Sequence, residues 1–260
     1  MSADTGISPT PAAPSGVSEQ EWQARIELAA AFRMAYHFGW NDGINNHITA
    51  RIPGMLEHFL MNPRGLSWQE VTASSLVRLG FDGSVHSPTG LKPGPAGVNF
   101  HSAILKAKPE LGCVIHTHTM AGVVVSALEG GLLILDQGGC LLDGEVGYHA
   151  FEGIATEADE GPRIVADLGG RKTLIMRNHG LLSVGRNVGE AFVYMRMLLG
   201  ACELQERVLA TRGTYTEVSR KEIAYTRNHI LGRYGNRPYG QDEWAMYMRM
   251  AQRLDPAFAS

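Results

Sequence analysis

Two segments of the chain carry histidines in a pattern suited to binding a metal ion. His116 and His118 end an apolar run at 113–115, which predicts a buried strand. Because alternate residues of a strand lie on the same side, both imidazoles can reach one cation. His179 follows a second apolar run, at 174–176, and precedes Gly180, which frees the backbone to turn. If the two strands are adjacent, three neutral imidazoles lie at one sheet edge, a ligand set that suits Zn²⁺, Fe²⁺ or Mn²⁺.

The metal interpretation has an alternative, since a strand can simply end in polar residues. Three further histidines are candidates for the surroundings of a site. His47 follows two asparagines and could line a pocket, whereas His101 and His149 could contact ligands or substrate. The remaining histidines are expected on the surface: His37, His58, His86 and His229.

Helices and strands alternate along the part of the chain that would position these residues. Helices are predicted at 18–38, 98–108, from 119 to about 128, 157–168 and 188–210, with two further helical segments closing the chain. The first helix begins with a capping box formed by Ser18 and Glu21. Strands are predicted at 47–52, 58–61, 75–79, 113–116, 132–135, 172–177 and 181–184. The pattern predicts an α/β layered fold with a mixed sheet.

Composition bounds the class of protein. The 260 residues are 44% hydrophobic with a net charge of −3, which excludes intrinsic disorder and argues against a nucleic-acid partner. The most apolar stretch, 121–135, is interrupted by Glu129 and is too short for a membrane span. Three cysteines without a Cys-x-x-Cys pair indicate reduced thiols of a cytoplasmic protein. Residues 1–17 predict a disordered tail, and 18–260 a single domain with a C-terminal helical extension.

Several collinear segments carry a resemblance to one family. They are Asn45-Asn46-His47-Ile48-Thr49, VTASSLV at 71–77, VIHTHT at 114–119 and RNHGL at 177–181. Together these segments resemble the class II aldolase/adducin family. GEVGYH at 144–149 and ACELQ at 201–205 are similar to the adducin head in particular. The resemblance covers roughly residues 20–212.

The resemblance implies a three-layer α/β/α fold around a mixed, mainly antiparallel sheet. It also implies a homotetramer that acts on a small molecule, with the metal site near subunit interfaces. The three histidine ligands of the family's sugar-phosphate aldolases correspond to His116, His118 and His179. We therefore expect one divalent ion as cofactor, Zn²⁺ first, with Mn²⁺ or Fe²⁺ as alternatives. Its fourth ligand stays open among water, Glu145 and His149.

Departures from the aldolase pattern bear on the substrate. Where the aldolases carry Ser-Ser-Glu, with the Glu as acid/base, this chain has PAG at 95–97. His101 and Tyr148 are the expected replacements for proton transfer. Asn46 and His47 stand where the aldolases have Gly-Asn, Arg64 and Gly65 stand where they have Thr-Gly, and Lys92 lies in the following loop. Cations at a metal pocket suit a substrate that carries a carboxylate and no phosphate.

Three functions are compatible with these residues. The first is a metal-dependent carbon–carbon lyase, either a decarboxylase or a retro-aldolase, acting on a small hydroxy or keto acid. The second is a non-haem iron oxygenase on the same scaffold, and the third is a non-catalytic, adducin-like binding module. A stoichiometric metal favours an enzyme, and the identity of the ion separates the two enzymes.

Overall fold

An eight-stranded sheet forms the centre of the computed structural model, which describes residues 11–87, 89–153 and 159–260. Its strands are β1 His47–Ile52, β2 Met55–Met61, β3 Val77–Gly80, β4 Val85–His86, β5 Cys113–Thr117, β6 Val146–His149, β7 Thr173–Met176 and β8 Gly180–Gly185. Their order is β4-β3-β2-β1-β5-β8-β7-β6. Every neighbouring pair is antiparallel except β6 and β7. This arrangement confirms the predicted mixed, mainly antiparallel sheet.

Helices cover both faces of the sheet. They are α1 Glu19–His37, α2 Pro95–Ala107, α3 Met120–Ser126, α4 Glu160–Leu168, α5 Val188–Ala210, α6 Arg220–Gly232 and α7 Gln241–Leu254. Short 3₁₀ turns lie at Gly139–Leu142 and Pro256–Ala259. Alternation along β1 places Ile48, Ala50 and Ile52 in the core shared with α1 and α5. Phe59 and Met61 of β2 face the second core, shared with α2 and α4. The fold therefore has three layers.

The predicted capping box at α1 forms only in part. The Ser18 hydroxyl accepts from the Glu21 backbone N–H at 3.1 Å, as expected. The Glu21 carboxylate instead contacts Arg25 at 2.8 Å and Arg78 at 3.0 Å, because both guanidiniums lie beside it in a nearly closed space. The Pro11 carbonyl accepts from the Trp22 indole at 2.8 Å. The described part of the predicted tail, 11–17, thus contacts α1, and ordered contacts begin before Ser18.

One predicted strand does not form, and one strand of the sheet was not predicted. Residues 132–135 form no strand, because side chains satisfy their backbone amides: Leu132 N–H donates to the Tyr148 hydroxyl at 2.9 Å, and Leu133 N–H donates to Gln205 at 2.7 Å. Strand β6, which the sequence reading missed, pairs with β7 instead. Residues 1–10 of the predicted tail, and 157 and 158 at the start of a predicted helix, lie outside the described residues.

The strands that lead into the histidines are not adjacent, contrary to the prediction. Strand β8 lies between β5 and β7 and is antiparallel to both. Strands β5 and β7 therefore run in the same direction and end at the same edge of the sheet. The histidines therefore still converge, because β5 and β7 run in the same direction on either side of β8 and not because they are adjacent.

Helix α5 is covered within its own chain. Most of its apolar residues are buried against β8, α3 and α7. The helix therefore gives no argument for oligomerisation. Among the described residues, no helix combines the length and apolarity that crossing a membrane requires.

Candidate metal centre

The structure brings His116, His118 and His179 together at the edge of the sheet. His116 and His118 lie on the same side of the extended chain, and their Nε2 atoms are 2.8 Å apart. The ring centroid of His179 lies 4.8 Å from each of the other two. One ring nitrogen from each of the three lies within 4.8 Å of the others. The three imidazoles can therefore hold one ion.

Hydrogen bonds to the outer nitrogens orient two of these rings. His116 Nδ1 lies 3.0 Å from the carbonyl oxygen of Leu181 on β8, and His118 Nδ1 lies 3.2 Å from Asp42 Oδ2. Carbonyl and carboxylate oxygens only accept, so each Nδ1 carries the proton. In neutral rings the two Nε2 atoms then present lone pairs to each other at 2.8 Å. Repulsion between lone pairs is relieved by a cation between them, and the donor set fits a divalent metal.

A tight approach of two backbone segments places His179 beside the pair. Asn178 has a left-handed backbone with φ of +54°, which turns the chain out of β7. A Cβ on Gly180 would lie 2.5 Å from the Thr117 carbonyl oxygen and 3.0 Å from His118 Cδ2. Glycine at 180 is therefore required by close contact with the end of β5.

The surroundings of His116 and His179 favour neutral imidazoles. Burial, together with repulsion from His118 and His179, holds the pKa of His116 well below its usual range. Burial and the neighbouring His118 lower the pKa of His179 to about 4. Both rings are neutral near pH 7, the form that binds metals.

A cavity of about 500 Å³ opens onto the triad. The three imidazoles share its wall with His47, Arg64 and the N-terminal turn of α2. Its other described lining residues are Ile44, Asn45, Gly94, Pro95, Ala96, Phe100, Phe151 and Gly153. Among the lining residues that the structure describes there is no Asp, Glu, Lys or Tyr. The wall is therefore apolar apart from imidazoles, one asparagine and one guanidinium.

Of the predicted substrate-binding residues, His47 and Arg64 line the cavity. His47 pairs with His116 across β1 and β5, and their rings stack at 14° with centroids 6.0 Å apart. Burial and the nearby imidazoles and Arg64 lower the pKa of His47 to about 4. Lys92 and Gly65 are exposed and do not line the cavity, although the Lys92 carbonyl accepts from the Arg64 backbone N–H at 2.9 Å. Lys92 therefore holds the Arg64 loop through its backbone.

Asn46 is connected to the triad through Asp42 and does not contact it in the described hydrogen bonds. Its buried side chain accepts from the Asp42 backbone N–H at 2.8 Å, and the Asp42 carboxylate contacts His118. Asn46 therefore holds in place the loop that carries Asp42, and Asp42 in turn orients His118. Sequence reasoning missed Asp42, although the Gly, Asn and Asp residues of 39–46 already indicated a loop built for side-chain to backbone bonds.

The two residues predicted to transfer protons do not line the cavity. His101 is fully buried, and its Nδ1 lies 2.9 Å from the Thr49 hydroxyl. Tyr148 lines a separate cavity beside 132–135 and α6, and the Arg177 guanidinium lies 4.4 Å from its ring centre. His101 lies about one helical turn after Gly97, as the sequence indicated. The His101 side chain, however, is directed toward Thr49 on β1. The parallel strand β6 directs Tyr148 away from the triad.

The two protein residues considered as a fourth ligand have other partners. Glu145 contacts Arg227 at 2.6 Å. His149 Nδ1 lies 2.7 Å from Asp167, and its Nε2 lies 3.5 Å from Glu160. With Glu152, His149 and Glu160 form a second group whose ligand atoms lie within 4.8 Å of one another. We call this group the His149 cluster.

The fold is of the α/β/α class and carries a candidate metal centre of three histidines, and comparison with known proteins identifies its family. Residues 26–206 match the model of the class II aldolase and adducin N-terminal domain. The chain belongs to this family.

Similar proteins include both enzymes and adducins. An aldolase II superfamily protein from Pseudomonas syringae is 40% identical, with a TM-score of 0.86 over 94% of this chain and 98% of that one. An L-fuculose 1-phosphate aldolase from Glaciozyma antarctica PI12 is 28% identical, with a TM-score of 0.81 over 94% of each chain. Alpha-adducin of Rattus norvegicus is 47% identical over 73% of this chain, which matches only 26% of that protein's length.

Proposed function

We propose that this protein is a metal-dependent carbon–carbon lyase acting on a small hydroxy or keto acid. The observation that carries the proposal is the pairing of His116 and His118 lone pairs at 2.8 Å, with His179 alongside, in the wall of a cavity. An aldolase 28% identical over most of the chain supports a lyase. When bound, a divalent ion supplies a Lewis acid that draws electron density from a substrate carbonyl.

Zn²⁺ is the first candidate for the ion, with Mn²⁺ and Fe²⁺ as alternatives. Three neutral imidazoles are a common ligand set of catalytic zinc, and they leave a position open toward the cavity. The Leu181 carbonyl and the Asp42 carboxylate hold the His116 and His118 rings in the tautomer that a metal requires.

The cavity wall favours decarboxylation over retro-aldol cleavage. A retro-aldol reaction needs a base to remove the proton of a substrate hydroxyl. The described lining residues include no carboxylate or tyrosine, and His101 and Tyr148 lie elsewhere. Decarboxylation needs an electron sink but no base in its bond-breaking step. Phe100, Phe151 and Ile44 give part of the cavity an apolar lining, and Arg64 is available to bind an acidic group of the substrate.

Metal analysis combined with a substrate screen tests this proposal. The full-length protein, loaded with Zn²⁺, is incubated with small hydroxy and keto acids while released CO₂ and aldehyde are measured separately. CO₂ release that depends on the triad supports a decarboxylase, whereas aldehyde release without CO₂ supports a retro-aldolase. A protein that binds no stoichiometric metal contradicts the proposal.

The non-catalytic alternative has one specific observation in its favour, the 47% identity to alpha-adducin. A binding module needs no metal, so the same measurement of metal content separates it from a lyase. An iron oxygenase is the other alternative, and it predicts Fe²⁺ content with oxygen consumption on aromatic hydroxy acids.

We also propose a cytoplasmic homotetramer. Met120 and Phe151 are large apolar residues that are 74% and 58% exposed, Phe151 lines the cavity, and a second subunit would cover them. The free, buried thiols of Cys113, Cys140 and Cys202 suit a reducing compartment. A monomeric mass in light scattering at micromolar concentration would contradict the tetramer.

A further inference from the structure

Gly97, on the first turn of α2, lies directly against the imidazole of His47. A Cβ on Gly97 would lie 2.6 Å from His47 Cγ, 2.7 Å from His47 Cδ2 and 2.5 Å from Met61 Cε. Distances below 3.0 Å are too short for carbon atoms that are not bonded. Position 97 therefore has no room for any side chain while His47 keeps its place.

The two neighbours of Gly97 differ in how easily they can move. Met61 Cε is the end of a flexible side chain and can rotate away. His47 Cγ is the root of the imidazole, on a strand that pairs with β5. Movement at Cγ requires a different rotamer for the whole ring, because the Cβ is held by the sheet. A side chain at 97 would thus displace the imidazole from the cavity wall.

The seated imidazole can present one hydrogen-bond donor to the cavity. Its Nδ1 is enclosed and has no hydrogen-bond partner among the described residues. A neutral ring carries one proton, and only at Nε2 can that proton find a partner among molecules in the cavity. The ring nitrogen Nε2 and the Arg64 Cδ both lie 3.9 Å from the Cβ position of Gly94. His47 and Arg64 therefore approach the same stretch of cavity wall.

We propose that Gly97 is a positioning residue that seats His47, and that His47 and Arg64 together form the subsite for a substrate carboxylate. This inference rests on the proposed function, since it assigns the acidic end of that substrate. A guanidinium fork and one neutral N–H match the two oxygens of a planar carboxylate. The Arg64 and His47 side chains carry one positive charge between them, which matches a carboxylate monoanion.

Substitution of Gly97 by Ala tests the inference in the full-length, Zn²⁺-loaded protein. Calorimetry measures binding of mandelate and of 1-phenyl-1,2-ethanediol, which has a neutral hydroxymethyl group in place of the carboxylate. Wild type should prefer mandelate. We expect Gly97→Ala to weaken mandelate binding at least about tenfold, as for loss of a hydrogen bond to a charged group. Binding of the diol and the zinc content should stay unchanged.

Four further variants make the test specific. His47→Ala should reproduce the loss, and adding Gly97→Ala to it should have no further effect, because the two substitutions remove the same contact. His47→Gln, which keeps an N–H, should recover part of the mandelate preference. Gly200→Ala is the matched control, since its Cβ would meet only Arg196 Nη1, at 3.6 Å.

Each outcome decides the inference. Mandelate affinity within threefold of wild type in Gly97→Ala would overturn it. An equal loss of mandelate and diol would also overturn it, since that result indicates a general disturbance of the cavity. Tighter binding of benzyl phosphate, which has a phosphate and no carboxylate, than of mandelate by wild type would overturn the carboxylate assignment. A wild type that binds no stoichiometric divalent metal would instead contradict the proposed function, which separates the two failures.

Discussion

Two histidine groups in this protein each bring three potential ligand atoms within 4.8 Å, yet their surroundings differ. The triad has three imidazoles, one carboxylate partner at Asp42, and a cavity in front. The His149 cluster has one imidazole among carboxylates, and Arg163 contacts Glu152 through two nitrogens. In the triad, lone pairs converge on open space.

Neighbouring charge decides whether a histidine group is available to bind a ligand. In the His149 cluster a cation is already supplied by the protein, through Arg163, and Asp167 binds the ring. His149 is not among the described residues that line the cavity in front of the triad. In the triad the nearby guanidinium, Arg64, has no ion pair among the described residues. We therefore regard the cluster as a structural ion network and the triad as a site for ligands.

Removal of two triad imidazoles should have the largest effect. His116→Ala combined with His118→Ala should lower zinc affinity by more than about 100-fold. Loss of a residue that only hydrogen-bonds a metal ligand can already lower the affinity by up to about 100-fold, and this variant loses two ligands. Metal content per chain, measured by elemental analysis after dialysis, checks this. His149→Ala is the matched control and should keep the metal. If the control loses the metal and the double variant keeps it, the metal is bound at the His149 cluster and not at the triad.

Glu160→Ala should disturb the fold and leave the metal in place. The Glu160 carboxylate is buried and lies 3.5 Å from His149 Nε2, closer than the Glu152 carboxylate at 4.0 Å. Its loss leaves a buried polar group without compensation, and we expect a decrease of about 2 kcal/mol in the free energy of unfolding. Urea denaturation of the metal-free protein measures it. Glu57→Ala, an exposed carboxylate on β2, should change stability by less than about 0.5 kcal/mol.

Arg64→Met should weaken binding of a carboxylate probe and leave zinc content intact. The side chain lines the cavity, and the lost charge-assisted hydrogen bond is worth about 1.5–3 kcal/mol. Calorimetry with mandelate measures the change. Arg64→Lys keeps the charge without the fork and should fall between wild type and Arg64→Met. Equal affinities for all three proteins would show that Arg64 is an ordinary surface cation.

Asp42→Ala should have the smallest effect on the triad. The carboxylate accepts from His118 Nδ1, and loss of such a partner lowers metal affinity by about tenfold or somewhat more. Competition with a zinc chelator measures the affinity. Asp42→Asn keeps an accepting oxygen and should stay near wild type. An unchanged affinity in Asp42→Ala would show that the cavity alone orients His118.

Local signals in the sequence were sufficient for the elements that carry the triad. Apolar runs predicted the strands before His116 and His179, and alternation predicted that His116 and His118 share a side. The start of α1 at Ser18 followed from hydrogen bonds between near neighbours in the chain. The interactions involved span at most a few residues, so the chain determines them without its fold.

Pairings between distant segments could be decided only by the tertiary structure. Insertion of β8 between β5 and β7, the seat of His47 on Gly97 and the contact from Asp42 to His118 each join residues far apart in sequence. Tyr148 and His101 were assigned by motif and helix spacing, but strand direction and packing turn them from the cavity. Residue spacing sets which face a side chain lies on, whereas what that face meets depends on how the layers close around the sheet.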